Sequence, residues 1–165
     1  SYSIAYLRKQ NIRYDIYAAE FAKTGIIYGS LCLTTGSSWA TYTWGEPWSN
    51  DPKQIAAAIA VLIYLAYVVL RGSMTDIDKK ARVSAVYNIF AFVMTFVFIM
   101  IYPRMAPSSL HPGNGGNPAF GKYEMDNNMR LVFYPACIGW IMMSCWLMNV
   151  LTRMKKLEIK NNDNE

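Results

Sequence analysis

The sequence predicts an all-α protein, a polytopic bundle of transmembrane helices. Two observations predict it. Ile55 to Leu70, Val83 to Tyr102 and Leu131 to Thr152 carry no charged residue. A helix of about 20 apolar residues crosses a hydrocarbon core of about 30 Å, and only closed backbone hydrogen bonding is stable there. Finally, basic residues collect at the ends of these segments in a pattern that alternates between two sides. The mean hydropathy of +0.11 is low because the loops and the tail are polar.

Four spans are expected, at residues 16–35, 54–71, 83–102 and 131–152. The first is the least apolar, since only Thr24 to Thr35 is free of charge. Its Glu20 and Lys23 are spaced i, i+3 and can pair on one helix face. Gly25 and Gly29 form a small-xxx-small pair that lets another helix approach closely, so this span is expected inside the bundle. The second is slightly short, with Gln54 extending it. The third has Asn88 as its only strongly polar side chain, and the fourth contains Pro135 and Gly139.

Charge sets the orientation. Arg8, Lys9 and Arg13, then Arg71, Lys79, Lys80 and Arg82, then Arg153, Lys155, Lys156 and Lys160 fall on one side of a four-span arrangement. Lys53, Arg104, Lys122 and Arg130 fall on the other. The positive-inside rule makes the first group cytoplasmic, so the loops 36–53 and 103–130 face outward together. The net charge of +5 is spread along helix edges rather than gathered into a stripe with interleaved aromatics. It fits anionic lipid head groups and no nucleic-acid partner. Residues 1–165 form one membrane domain without repeats, and residues 155–165 read as a frayed, solvated end. The chain opens on Ser1 without a secretory signal, which reads as a fragment missing upstream helices.

Several chemistries are excluded by missing ligands. Cys32, Cys137 and Cys145 lie in apolar spans, where cysteine is expected to behave as a small buried hydrophobe. Without Cys-x-x-Cys there is neither a thioredoxin-like nor a zinc site, and without Cys-x-x-Cys-His the chain is not a c-type cytochrome. No Gly-x-x-x-x-Gly-Lys phosphate loop is present, so any nucleotide hydrolysis belongs to another subunit.

The outward loops hold the candidate residues. Trp39 is followed by Trp44-Gly45-Glu46-Pro47-Trp48-Ser49-Asn50-Asp51-Pro52-Lys53. Such indoles among Gly, Pro, Ser and Asn suit two readings: an interfacial aromatic belt, or a platform for a flat amphipathic ligand. Asp51-Pro52 equally suits the N-cap and first position of a helix. His111 is the only histidine, in Leu110-His111-Pro112-Gly113-Asn114. Pro112 biases it toward extended geometry. It reads either as an ordinary loop histidine or as an axial ligand to haem iron. Both loops face the same side. Together they offer aromatic surface (Trp39, Trp44, Trp48), an axial nitrogen (His111) and cations for propionates (Lys53, Arg104, Arg130).

These motifs resemble a known family. Gly36-x-x-Trp39 with Trp44-Gly45-x-x-Trp48-x-x-Asp51-x-Lys53 is similar to the tryptophan-rich WWD motif of the haem-handling proteins. Leu110-His111-Pro112 resembles that family's histidine loop between its last two spans. Within the family the likeness is to the CcmC-type haem exporters of cytochrome c maturation, and it covers nearly the whole chain. The resemblance implies about six spans in the full protein, of which this chain carries four. It implies an inner-membrane location and a periplasm-facing site where the loop, including Gly45, cradles haem b. His111 matches the second of two axial histidines, and the first belongs upstream. Asp51 would order the loop or meet a partner, while Lys53 or Arg104 would meet a propionate. One departure is Asn50, where a third tryptophan is common.

The implied activity is non-enzymatic delivery of haem to a periplasmic haem chaperone of the CcmE type. An ATP-binding-cassette pair and a small membrane subunit would release the loaded chaperone. Two other classes remain open. One is a cytochrome c synthase, which also uses such a loop but is much longer. The other is a passive permease-like or anchoring subunit that binds no haem.

Overall fold

A computed structural model describes residues 2–111 and 126–162, and every regular element among them is helical. The chain order is α1 (Tyr2–Lys9), α2 (Ile12–Trp44), α3 (Pro52–Gly72), α4 (Ile77–Phe96), a π-helical turn (Val97–Ile101), α5 (Tyr102–Met105) and α6 (Asn127–Asn162). Three of the helical stretches are long and apolar enough to cross a membrane: Pro52–Gly72, Ile77–Met105 and Asn127–Asn161. They contain the expected spans 54–71, 83–102 and 131–152. The remaining expected span, 16–35, lies within α2. At 33 residues this helix is about 50 Å long.

Helix α2 departs from expectation at its C-terminal end. The loop predicted to begin at residue 36 is still helical through Trp44. The local cause is visible in the hydroxyls. Ser38 Oγ donates to the Thr34 carbonyl at 3.1 Å and Thr41 Oγ1 to the Ser37 carbonyl at 3.0 Å. These polar side chains therefore satisfy themselves against the preceding turn and need no loop. The helix stops at Gly45, whose φ of 85° favours glycine and whose N–H closes on the Thr41 carbonyl at 3.1 Å.

The first half of α2 is packed as expected, with Ala18, Ala19, Ala22 and Thr24 buried. Glu20 is buried as well, and it pairs with Lys23 at 2.7 Å. The two glycines differ. A Cβ at Gly29 would meet Val61 Cγ2 at 2.7 Å, so α3 crosses α2 there, whereas a Cβ at Gly25 meets nothing within 4 Å. Helix α1, for which the sequence signals no element, lies against α4 through Tyr6, Ala81 and Ala85. Asn88 of α4 donates to Ser3 of α1 at 3.0 Å, which gives the polar residue of the third span its partner. The π-helical turn ends two residues before Pro103, whose ring cannot sit in an ordinary helical ladder against the residue four back.

Two further expectations are corrected. Cys32 and Cys145 are exposed and Cys137 is half-exposed, and Cys32 lines the open cavity between the helices rather than a closed core. The tail is not frayed at Lys155, since α6 continues to Asn162. Lys155 pairs with Glu158 at 2.8 Å, and Lys156 reaches the Tyr17 hydroxyl of α2 at 2.9 Å.

The basic segments meet at one end of the bundle. Arg71, ending α3, grips Asp15, beginning α2, through two parallel contacts of 2.8 and 2.5 Å. Asp15 is only 3% exposed. At mid-height a cavity of about 620 Å³ opens between α1, α2, α3 and α4, lined by Phe21, Ile26, Val61, Tyr64 and Phe92 with Asn88. Its lining includes neither tryptophan nor His111.

Candidate functional site

The opposite end of the bundle gathers the residues singled out by the sequence. Trp39 and Trp44 project from the last two turns of α2, and Trp48 from the turn that follows. Trp39 and Trp44 meet edge-to-face, with ring centroids 5.0 Å apart. The His111 ring lies 4.7 Å from Trp44, again edge-on, and 6.1 Å from Trp39. The histidine and two of the three indoles therefore form one aromatic cluster, though they are up to 72 positions apart in sequence. Trp39 and Trp48 remain 45% and 40% exposed, so the cluster presents uncovered apolar surface.

Asp51 organises this cluster. It is the N-cap of α3, with Pro52 at the first helical position, and Oδ1 accepts the Lys53 backbone N–H at 2.9 Å. The capping reading of Asp51-Pro52 holds, and the same carboxylate also binds the histidine segment. Oδ2 accepts the Ser109 hydroxyl at 2.8 Å and the Leu110 N–H at 2.6 Å. His111 Nδ1 lies 2.8 Å from Oδ1. Burial alone would push the Asp51 carboxyl up, but the hydrogen bonds from Ser109, Leu110, Lys53 and His111 outweigh it. The carboxyl is held below its ordinary value and stays charged.

The turn 45–51 is built by local polar contacts. Gly45 supplies the left-handed residue that ends α2. Asn50, which stands where a third tryptophan is common, has a φ of 55° and accepts the Trp48 indole N–H at 3.0 Å. Asparagine tolerates that backbone better than tryptophan does, so the departure has a conformational reason. Buried Gln54 accepts from the Ser49 N–H and hydroxyl at 3.1 Å each, and it reaches the Pro47 carbonyl at 3.4 Å. Lys53 sits half-buried in the first turn of α3. Arg104, on α5, donates to the Met100 carbonyl at 3.1 Å. Arg130 lies in the first turn of α6. The rest of the histidine loop, from Pro112 through Lys122, lies outside the described residues.

Sequence reasoning missed Ser109 and Gln54. Ser109 both donates to Asp51 and accepts the His111 N–H at 3.2 Å, which makes it the hinge between carboxylate and imidazole. A serine two positions before a histidine carries no compositional signal. Gln54 was legible only as an extension of the second span.

The donor set fits a haem. One imidazole is oriented by a carboxylate, two indoles flank it, and large indole faces lie uncovered beside it. Among the described residues no cluster of three or more His, Cys, Asp and Glu could hold a bare metal ion.

Comparison with known proteins points the same way. The family described as CcmC, Heme exporter protein C, matches residues 2–165. This chain belongs to that family. Curated relatives include the cytochrome c biogenesis protein CcsA of Prochlorococcus marinus, 36% identical over 76 residues. That match covers 44% of this chain and 24% of the relative. CcsA of Cuscuta reflexa is 27% identical over 97 residues, covering 58% and 30%, and CcsA of Arabidopsis thaliana is 28% identical over 98 residues, covering 59% and 29%. The chain thus matches less than a third of the length of each of these relatives. Family membership and the long apolar helices together make this a multi-pass membrane protein.

Proposed function

We propose that this chain forms a haem-binding site at the outer, periplasmic face of the inner membrane and delivers haem during cytochrome c maturation. The observation that carries the reading is the cluster itself, an imidazole held by a buried carboxylate and edged by two tryptophans at the end of the bundle opposite the basic segments. The cargo is haem b. His111 supplies one axial nitrogen, Trp39, Trp44 and Trp48 supply faces and edges for the macrocycle, and Lys53 and Arg104 supply cations for the propionates. The resemblance makes His111 the second of two axial histidines.

No nucleophile or acid–base pair is needed for delivery, so the step is a transfer between binding sites rather than a reaction. The uncovered indole faces leave one side of the cargo open to an acceptor, which we assign as a periplasmic haem chaperone. ATP-binding-cassette subunits and a small membrane subunit would drive its release.

The test is the optical spectrum of the purified protein supplied with haemin, wild type against His111→Ala, with total haem assayed beside it. A Soret band that weakens or shifts in the variant supports the reading. A wild type that takes up no haem returns the tryptophans to an interfacial belt and sinks it.

A further inference from the structure

We propose that Asp51 is a positioning residue for His111, fixing the imidazole in the tautomer that carries its proton on Nδ1 and leaves Nε2 as the nitrogen with a free lone pair. The inference rests on the haem reading above. A capping aspartate needs one oxygen and one backbone N–H. This one is almost fully buried and spreads its two oxygens over four partners, three of which come from residues 109–111. An ionised carboxylate can only accept hydrogen bonds. The 2.8 Å contact therefore requires His111 Nδ1 to be the donor, and a neutral ring then presents Nε2 as its base. Asp51 also sits at the N-terminus of α3, where the helix dipole favours the charged carboxylate. Contact with Trp44 at 4.7 Å restrains the ring against turning over.

Such a carboxylate does two things for an iron-binding imidazole. It orients the ring before the cargo arrives, and it raises the basicity of the ligating nitrogen. Asparagine would cap α3 about as well as aspartate. Its amide, however, can either donate to or accept from Nδ1, so it does not dictate the tautomer. The substitution Asp51→Asn thus separates the proposed role from capping.

Two measurements test this, both on residues 1–165 in detergent micelles. Because His111 is the only histidine, selective 15N-histidine labelling reports one ring without assignment and without a variant. A protonated Nδ1 and a bare Nε2 are expected, and a ring protonated on Nε2 alone would overturn the proposal. Haemin titration then compares wild type, Asp51→Asn, Ser109→Ala and His111→Ala. Asp51→Asn is expected to keep its helical content, lose about 10–100-fold in haemin affinity, and show a raised reduction potential from the weaker ligand. Ser109→Ala removes a donor to Asp51 and the acceptor of the His111 N–H but leaves the Asp51–Nδ1 contact, so it should shift the potential less than Asp51→Asn does. If Asp51→Asn binds haemin as wild type does while His111→Ala loses its Soret band, the proposal fails and the haem site stands. Equal loss in Asp51→Asn and Ser109→Ala at unchanged potential would reduce Asp51 to a loop anchor. An unchanged spectrum in His111→Ala would instead remove the haem reading itself.

Discussion

Gly29 gives the sharpest test of how the tryptophan-bearing helix is held. A Cβ there would lie 2.7 Å from Val61 Cγ2, about 1 Å inside the optimal carbon–carbon separation of 3.5–4.0 Å. Val61 cannot swing aside cheaply, because a β-branched side chain has one strongly preferred rotamer in a helix. Gly29→Ala must then push α2 away from α3, and overpacking of this kind costs about 1–3 kcal/mol. Against this, alanine in place of glycine returns about 1 kcal/mol of helix propensity. The net expectation is a loss of about 0–2 kcal/mol.

The internal control is Gly25→Ala. It carries the same propensity gain, but its Cβ meets nothing within 4 Å. It should stabilise by up to about 1 kcal/mol. The decisive comparison is the cycle of Gly29→Ala, Val61→Ala and the pair, read by thermal unfolding in detergent. Removing Val61 Cγ2 relieves the clash, so the pair should be more stable than the sum of the single changes by about 1–2 kcal/mol. Additivity within about 0.5 kcal/mol would refute the claim that these two residues set the α2–α3 distance.

Two further predictions concern the two ends of the bundle. Arg71→Ala strands the buried Asp15 carboxylate and should cost about 3–5 kcal/mol in the same assay; a loss under about 1 kcal/mol would mark the pair as a solvated surface contact. At the tryptophan end, Asn50→Ala must adopt the φ of 55°, at about 1–2 kcal/mol, whereas Asn50→Gly should not. Both changes free the Trp48 N–H, but only the alanine variant should open the 45–51 turn to limited proteolysis; equal cleavage of both would assign the effect to the lost hydrogen bond instead.

What could be read from the sequence follows from which forces leave a local trace. The long helices that contain residues 54–71, 83–102 and 131–152 were legible because a charge-free stretch of that length is stable in lipid only as a helix, and that constraint is written in composition. The end of α2 was not, because Gly36-Ser37-Ser38 looks like a loop until the Ser38 and Thr41 hydroxyls are seen to bond back into the helix. The three cysteines misled for a related reason. In a membrane bundle an apolar residue can face outward or, like Cys32, line an open cavity, so apolar context does not imply burial. At the site, Trp39, Trp44, Asp51 and His111 were each singled out from sequence, and the structure brings all four together. The bond between Asp51 and residues 109–111 could not be read. It joins segments some 60 positions apart through one carboxylate, and nothing in the intervening residues encodes that reach.

The helical placement of Trp39 and Trp44 changes what the site can do. A loop of tryptophans would have to be ordered by its ligand, and ordering each flexible side chain on binding costs about 0.5–1.5 kcal/mol. Here two of the indoles project from a continuous helix whose position Gly29 and Val61 determine. The third is tied by its own N–H to Asn50, and the histidine is tied to the cap of the next helix. The aromatic surface is therefore assembled before any ligand arrives, and the helix packing that brings α2 against α3 is also what sets its shape. A displacement of α2 at Gly29 should accordingly weaken haemin binding as well as stability, although Gly29 is about four helical turns from Trp44 and lies outside the aromatic cluster. Thermal loss without any loss of haemin affinity in Gly29→Ala would show that the cluster is held by the Asp51 bonds alone.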